Sequence, residues 1–124
     1  AVTVTCPCPL STAVIVPSER HPLSATDLYQ VLETSDLPAG VANIVTGKRD
    51  ALAPVLAAHD VVDAIWYFGT AAGPTEVEKQ STGNMKRTWT AHHDRGWFDP
   101  ATGEGHEFLR EATQVKNIWT PSGE

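Results

Sequence analysis

Apolar residues in this chain fall into short β-branched runs separated by stretches with helical spacing. Val14-Ile15-Val16 is the first clear run. Pro17-Ser18 stops it, so it predicts a buried strand. Ser24-Ala25-Thr26-Asp27 has the form of a capping box with Asp in place of Glu, and Leu28, Val31 and Leu32 follow on one helical face. Pro38-Ala39-Gly40 ends that helix by turn chemistry. Val41 to Thr46 predicts the next strand, closed by Gly47. Asp50 to His59 predicts a second helix with Leu52, Val55 and Leu56 aligned, and Pro54 predicts that it starts later than Asp50. Val61 to Phe68 is the strongest strand pattern, ended by Gly69. Pro74 to Thr82 predicts a third helix with Pro in its first turn and Gly83 at its stop. Lys86 to Ala91 predicts a fourth strand.

Strand and helix thus alternate three times before a last strand. Such alternation needs crossover connections, which build a parallel sheet with helices packed against it. The expected class is α/β, a partial Rossmann-like three-layer fold with a short parallel sheet. Composition shifts at His92, where a polar segment rich in Gly, Asp and His runs to Gly105. Glu104 to Ala112 predicts a short helix with Phe108, Leu109 and Ala112 as its apolar side. Gln114 to Thr120 predicts a terminal strand carrying Val115, Ile118 and Trp119. Two parts are expected, residues 1–99 and residues 100–124. A four-stranded sheet this small leaves exposed edges that invite partner strands, so an oligomer or complex is expected over a lone monomer. Trp66, Trp89 and Trp97 are read as core packing, with Trp119 the interface candidate.

Charge narrows the partners. The 124 residues carry 15 acidic and 9 basic side chains, a formal net charge of −6. No basic stripe stands out, which argues against nucleic acid and acidic membrane surfaces. No apolar run approaches the roughly 20 residues of a membrane helix, and Ala1 to Thr5 lacks the basic start of a secretory signal. A cytoplasmic location is the resulting expectation. Cys6 and Cys8 are the only cysteines, too close for an easy internal disulfide and too few for a zinc site. His92-His93-Asp94 with His106 is not expected to hold a metal, because adjacent strand residues point to opposite faces.

Several segments resemble aldehyde dehydrogenases. Val14-Ile15-Val16-Pro17-Ser18-Glu19 resembles the strand-turn that meets the adenosine ribose of NAD. Leu37-Pro38-Ala39-Gly40-Val41-Ala42-Asn43-Ile44-Val45-Thr46-Gly47 resembles the family wording L-P-x-G-V-x-N-x-V-x-G. His59 to Thr70 is similar to H-P-x-V-D-x-V-x-F-T-G-S, and Gly83-Asn84-Met85-Lys86-Arg87 to G-N-L-K-K/R. Ala112 to Trp119 resembles the C-terminal Y-T-Q-V-K-x-V-x-V strand of the family's oligomerisation element. The tryptophan-rich wording at Trp66 to Gly69 and at Lys86 to Trp89 is most similar to the non-catalytic second domain of the two-domain, family-sixteen enzymes. The resemblance spans about residues 14–93 and 107–120.

What the resemblance implies is limited by three departures. The family reaction needs a nucleophilic thiolate and a Glu base. Its thiol domain lies between the Glu strand and the tail, where this chain has only the loop from His92 to His106. The family Glu falls on Ala91, and Cys6 and Cys8 match no catalytic position, so no catalytic residue is expected in this chain. The Lys of K-P-S-E falls on Val16. Glu19, as a ribose acceptor, and Gly69 with Thr70, near the pyrophosphate, remain as the implied cofactor contacts. Losing one charge-assisted hydrogen bond costs on the order of 1.5–3 kcal/mol, so any NAD binding is expected to be weak.

Ala1 to Leu10 is too short for the helix and M-G-N turn that precede the family's first strand, which implies a shortened gene or a fragment. The function expected first is a catalytically silent, aldehyde-dehydrogenase-like pseudoenzyme domain. It would pair through residues 114–120 with itself or with an aldehyde dehydrogenase chain. The alternative is a fragment or subunit of an NAD(P)-dependent enzyme whose catalytic residues lie on other polypeptide. The third is a weak NAD binder.

Overall fold

The computed structural model describes the backbone of residues 2–5, together with residues 12–92, 95–113 and 119–120. Two compact units result, residues 1–94 and 95–124. In the first, the order is β1 (Val2–Thr5), β2 (Ala13–Val16), α1 (Leu23–Thr34), β3 (Ala42–Ile44), α2 (Arg49–Ala58), β4 (Ala64–Phe68), α3 (Gly73–Gln80) and β5 (Arg87–Ala91). A short 3-10 turn, Ser81–Gly83, extends α3.

The four strands and three helices expected before His92 form, and the fold is α/β with short parallel pairs. One strand was not foreseen. The sheet order is β3-β2-β1-β4-β5. β2 and β3 pair in parallel, as do β4 and β5. Between the pairs lies β1, antiparallel to both neighbours, with Val2 opposite Val16 on one side and Tyr67 on the other. The expected parallel sheet is therefore two parallel pairs joined by a reversed strand. The physical reason is hydrogen-bond demand. β2 and β4 each turn an inner edge of amides and carbonyls toward this gap, and β1 satisfies both.

Two local expectations also change. α1 begins at Leu23 with Pro22 as its N-cap residue, and no side chain caps it. Ser24 and Asp27 therefore stand inside the helix, and Thr26 Oγ1 donates to the Leu23 carbonyl at 2.8 Å. The fixed φ of Pro22 suits a helix start. α2 begins at Arg49 and carries Pro54 within it. The amide that Pro54 lacks would have reached Asp50, in the exposed first turn, where water can serve the carbonyl.

The core sits on one face of the sheet. Ile65 and Tyr67 of β4 and Val16 of β2 pack with Ala53 and Ala57 of α2 and Val77 of α3. The small residues of α2 let the helix approach closely. The opposite face of β4 and β5 carries an aromatic ladder. Trp66 lies edge-on to its register partner Trp89 at 4.9 Å, and Phe68 edge-on to Trp89 at 5.1 Å.

The G-N-x-K wording has a mechanical explanation. Asn84 Nδ2 donates to the carbonyls of Asp60 (2.7 Å) and Val62 (3.0 Å). Lys86 Nζ donates to the carbonyls of Ala57 and His59 at the end of α2. These bonds tie the α2–β4 connection and add donors to carbonyls at the end of α2. Burial pushes the Lys86 amine below its ordinary value, with Asp60 and Asp63 acting against the shift.

The second unit contains α4 (Pro100–Gly103) and α5 (His106–Ala112). α4 falls in the expected loop. Asp99 caps it by accepting from the Ala101 amide at 3.0 Å, and Pro100 occupies its first turn. Trp97 and Phe108 lie 6.3 Å apart, with the Arg95 guanidinium over both rings. Most of the expected terminal strand, residues 114–118, lies outside the described residues, as do Cys6, Cys8, His93 and Asp94. Among the described residues, no helix is long and apolar enough to cross a membrane, and no group of three His, Cys, Asp or Glu could hold a metal.

Candidate functional site

The chain leaves β2 toward one side, through α1 to β3, and leaves β4 toward the other, through α3 to β5. In open α/β sheets the crevice beyond the strand C-termini at such a switch point is where ligands bind. Here it lies between the ends of β2 and β4, which flank the start of β1. The end of β2 leads into Pro17-Ser18-Glu19, and the end of β4 into Gly69-Thr70. All three residues implied as cofactor contacts follow the strands that border this crevice.

Glu19 is engaged. Its Oε1 accepts the Arg49 amide at 2.8 Å, so the carboxylate caps the first turn of α2. Only one of its two oxygens is used in that bond. Gly69 continues the β4–β5 ladder, its amide donating to the Ala91 carbonyl at 3.1 Å. A Cβ at Gly69 would lie 2.6 Å from the Tyr67 hydroxyl and 2.8 Å from the Arg49 guanidinium carbon. A Cβ at Gly73 would collide with the same phenol. The glycines at these two positions are therefore required by the Tyr67 side chain itself.

Tyr67 stands where the aldehyde dehydrogenase wording has Phe, and its added hydroxyl makes two long contacts. It donates to Asp50 Oδ1 at 3.3 Å and pairs with Thr70 Oγ1 at 3.3 Å. Arg49 lies over the Tyr67 ring, 5.6 Å from its centroid. Its Nε meets Asp50 Oδ1 at 3.4 Å. Among the described residues, no other side-chain acceptor takes a guanidinium proton, although the Arg49 side chain is only 25% exposed. A cavity of ≈320 Å³ lies between α2 and α3, lined among others by Asp50, Pro54, Tyr67, Thr70 and Glu76. Its two carboxylates disfavour an anion inside it. The cation nearby is Arg49, whose guanidinium lies against the turn at Gly69.

Arg49, Asp50 and Tyr67 were not singled out in the sequence. Their signal was the Lys48-Arg49-Asp50 run directly after a strand-closing glycine, and the placing of Tyr67 two residues after Ile65 on the core-facing side of β4.

The family model for the aldehyde dehydrogenase family matches residues 10–91. The chain belongs to the aldehyde dehydrogenase family. Malonate-semialdehyde dehydrogenase 3 of Bacillus cereus (strain ZK / E33L) is 42% identical over 77 residues, which are 62% of this chain and 16% of that protein. The NADP/NAD-dependent aldehyde dehydrogenase PuuC of Escherichia coli (strain K12) is 36% identical over 80 residues, again 16% of its length. In three dimensions, the crystal structure of an NAD-dependent aldehyde dehydrogenase from Sinorhizobium meliloti superimposes with a TM-score of 0.60 at 28% identity. That match covers 67% of this chain and 16% of the other. The chain thus spans about a sixth of the aldehyde dehydrogenases it matches.

Against the aldehyde dehydrogenase wording, the Glu position is Ala91, at the end of β5 beside Phe68 in register. It is 7% exposed and offers only a methyl group. The donor set at the crevice suits the phosphate portion of a dinucleotide. Arg49 has guanidinium protons that no side-chain acceptor takes among the described residues, while the Gly69 amide is already bonded to the Ala91 carbonyl.

Proposed function

We propose that this chain forms the cofactor-facing part of an aldehyde dehydrogenase-type dinucleotide domain and oxidises no aldehyde by itself. The observation that carries the second half is Ala91, a buried methyl where the hydrolytic base would stand. No cysteine follows Cys8, so no thiol issues from any strand or helix after β1. The thiolate and carboxylate of the reaction would stand on other polypeptide. The first half is supported by the switch-point position of Glu19, Gly69 and Thr70. Because Val16 brings no charge, NAD is held weakly. The test is direct. The purified chain, given NAD and malonate semialdehyde, produces no reduced nicotinamide above a protein-free blank. Turnover above that blank overturns the reading.

A second reading, an assembly role through residues 114–120 toward another copy or an aldehyde dehydrogenase chain, is favoured by Trp119, which is 89% exposed. A large indole in water is a ready interface anchor. Under this reading Trp119→Ala lowers the mass measured by light scattering, and an unchanged mass removes it. The finer placement beside the non-catalytic second domain of the family-sixteen enzymes rests on the wording at Trp66 to Gly69 and Lys86 to Trp89.

A further inference from the structure

We propose that Arg49 supplies the cationic contact to the phosphate portion of a dinucleotide. This rests on the dinucleotide reading above and names the residue on which its affinity depends. Three observations converge on Arg49. Its backbone amide holds Glu19, the residue after the β2 turn, at 2.8 Å. Its guanidinium carbon lies 2.8 Å from where a Cβ on Gly69 would be, at the turn after β4. One residue therefore reaches both sides of the switch point. The side chain is mostly shielded, yet among the described residues only its Nε meets a side-chain acceptor, Asp50 at 3.4 Å.

Val16 at the end of β2 is buried in the core, whereas Arg49 enters from the first turn of α2. A guanidinium offers five donors in a planar fork and can grip two phosphate oxygens at once, which an ammonium cannot do in the same geometry. Asp50 orients the fork from its Nε side and leaves the terminal nitrogens for the ligand. Thr70 Oγ1 lies beside the same turn, paired with the Tyr67 hydroxyl. Asp50 and Glu76 line the neighbouring cavity between α2 and α3, and their negative charge disfavours phosphates inside it.

The experiment compares the full chain with Arg49→Gln and Arg49→Lys, titrated calorimetrically with NAD, ADP and adenosine. Neither substitution touches the backbone amide that holds Glu19, and far-ultraviolet dichroism with a thermal melt checks the fold of each. The expected result is a loss of roughly tenfold or more in NAD and ADP affinity for Arg49→Gln, with part of it regained in Arg49→Lys. Adenosine, which lacks phosphates, binds all three proteins alike. If the parent chain binds NAD and Arg49→Gln binds it equally well, the role of Arg49 is overturned and the dinucleotide reading stands. Equal losses for adenosine and ADP make Arg49 a merely structural residue and also overturn the proposal. If the parent chain binds neither NAD nor ADP at millimolar concentration, the dinucleotide reading falls and Arg49's role falls with it.

Discussion

The two ends of the sheet use similar residues and reach different degrees of packing. At the β4 end, α2 and α3 pack against each other and against the strand, and Ile65, Tyr67, Ala57 and Val77 are almost fully shielded. At the β3 end, α1 rests on a three-residue strand and buries none of its residues. Leu23 is 73% exposed there and Val31 61%. An open groove of ≈590 Å³ separates α1 from β3, lined by Thr26, Tyr29, Asn43 and Ile44 among others. The lesson is that amphipathic spacing specifies a helix without ensuring a partner for its apolar side. α2 succeeds because alanines at 53 and 57 let it approach the sheet, whereas α1 presents Leu28 and Val31 with nothing matched against them.

Four measurements break or sharpen this contrast. The largest effect belongs to Ile65→Ala, which empties the best-packed part of the core. It should lower unfolding free energy by about 2–5 kcal/mol in urea titration, and a loss below about 1 kcal/mol would mean that the β4 end is as loose as the β3 end. Gly69→Ala comes next. Its new methyl meets the shielded Tyr67 phenol and the Arg49 guanidinium, so a cost of about 1–3 kcal/mol is expected in urea titration. An unchanged stability would show that the turn at Gly69 has room for a side chain.

Lys86→Met removes two donors from the carbonyls that end α2 and should cost about 1–2 kcal/mol. Its pH behaviour is a further check. Because burial lowers the folded-state value beneath 10.5, the unfolded chain holds the extra proton between the two, and stability rises with pH through that interval. The variant should lack this rise; an identical rise in both proteins would assign it to another group. The smallest effect is that of Leu28→Ala on α1, within about 0.5 kcal/mol of the parent. A loss comparable to that of Ile65→Ala would erase the contrast between the two ends.

Much of the layout was legible in the residues, and the limits have physical causes. β2 to β5 and α1 to α3 each announce themselves through local periodicity and turn residues, which is why their order could be read. Val2-Thr3-Val4-Thr5 gave no comparable signal, because its place depends on partners at Val14 to Val16 and Ile65 to Tyr67. Asp99-Pro100 is a helix start that the polar surroundings concealed. At the crevice, Glu19, Gly69 and Thr70 were legible only through family wording. The helix-capping bond of Glu19 was visible from neither wording nor spacing, since it joins residues thirty positions apart. Arg49 was missed for the same reason. A charged residue beside a strand-closing glycine is ordinary until the fold brings it over another strand's turn.

The reversed central strand also bears on how the chain assembles. β1 pairs with β2 across only residues 6–12 of the sequence, but with β4 across residues 6–63. By loop-length scaling alone, the second closure costs roughly 2 kcal/mol more chain entropy than the first. The two halves of the sheet touch through β1, so the long-range closure is the event that joins them. Contact order, more than helix content, therefore sets the pace at which this small fold is completed.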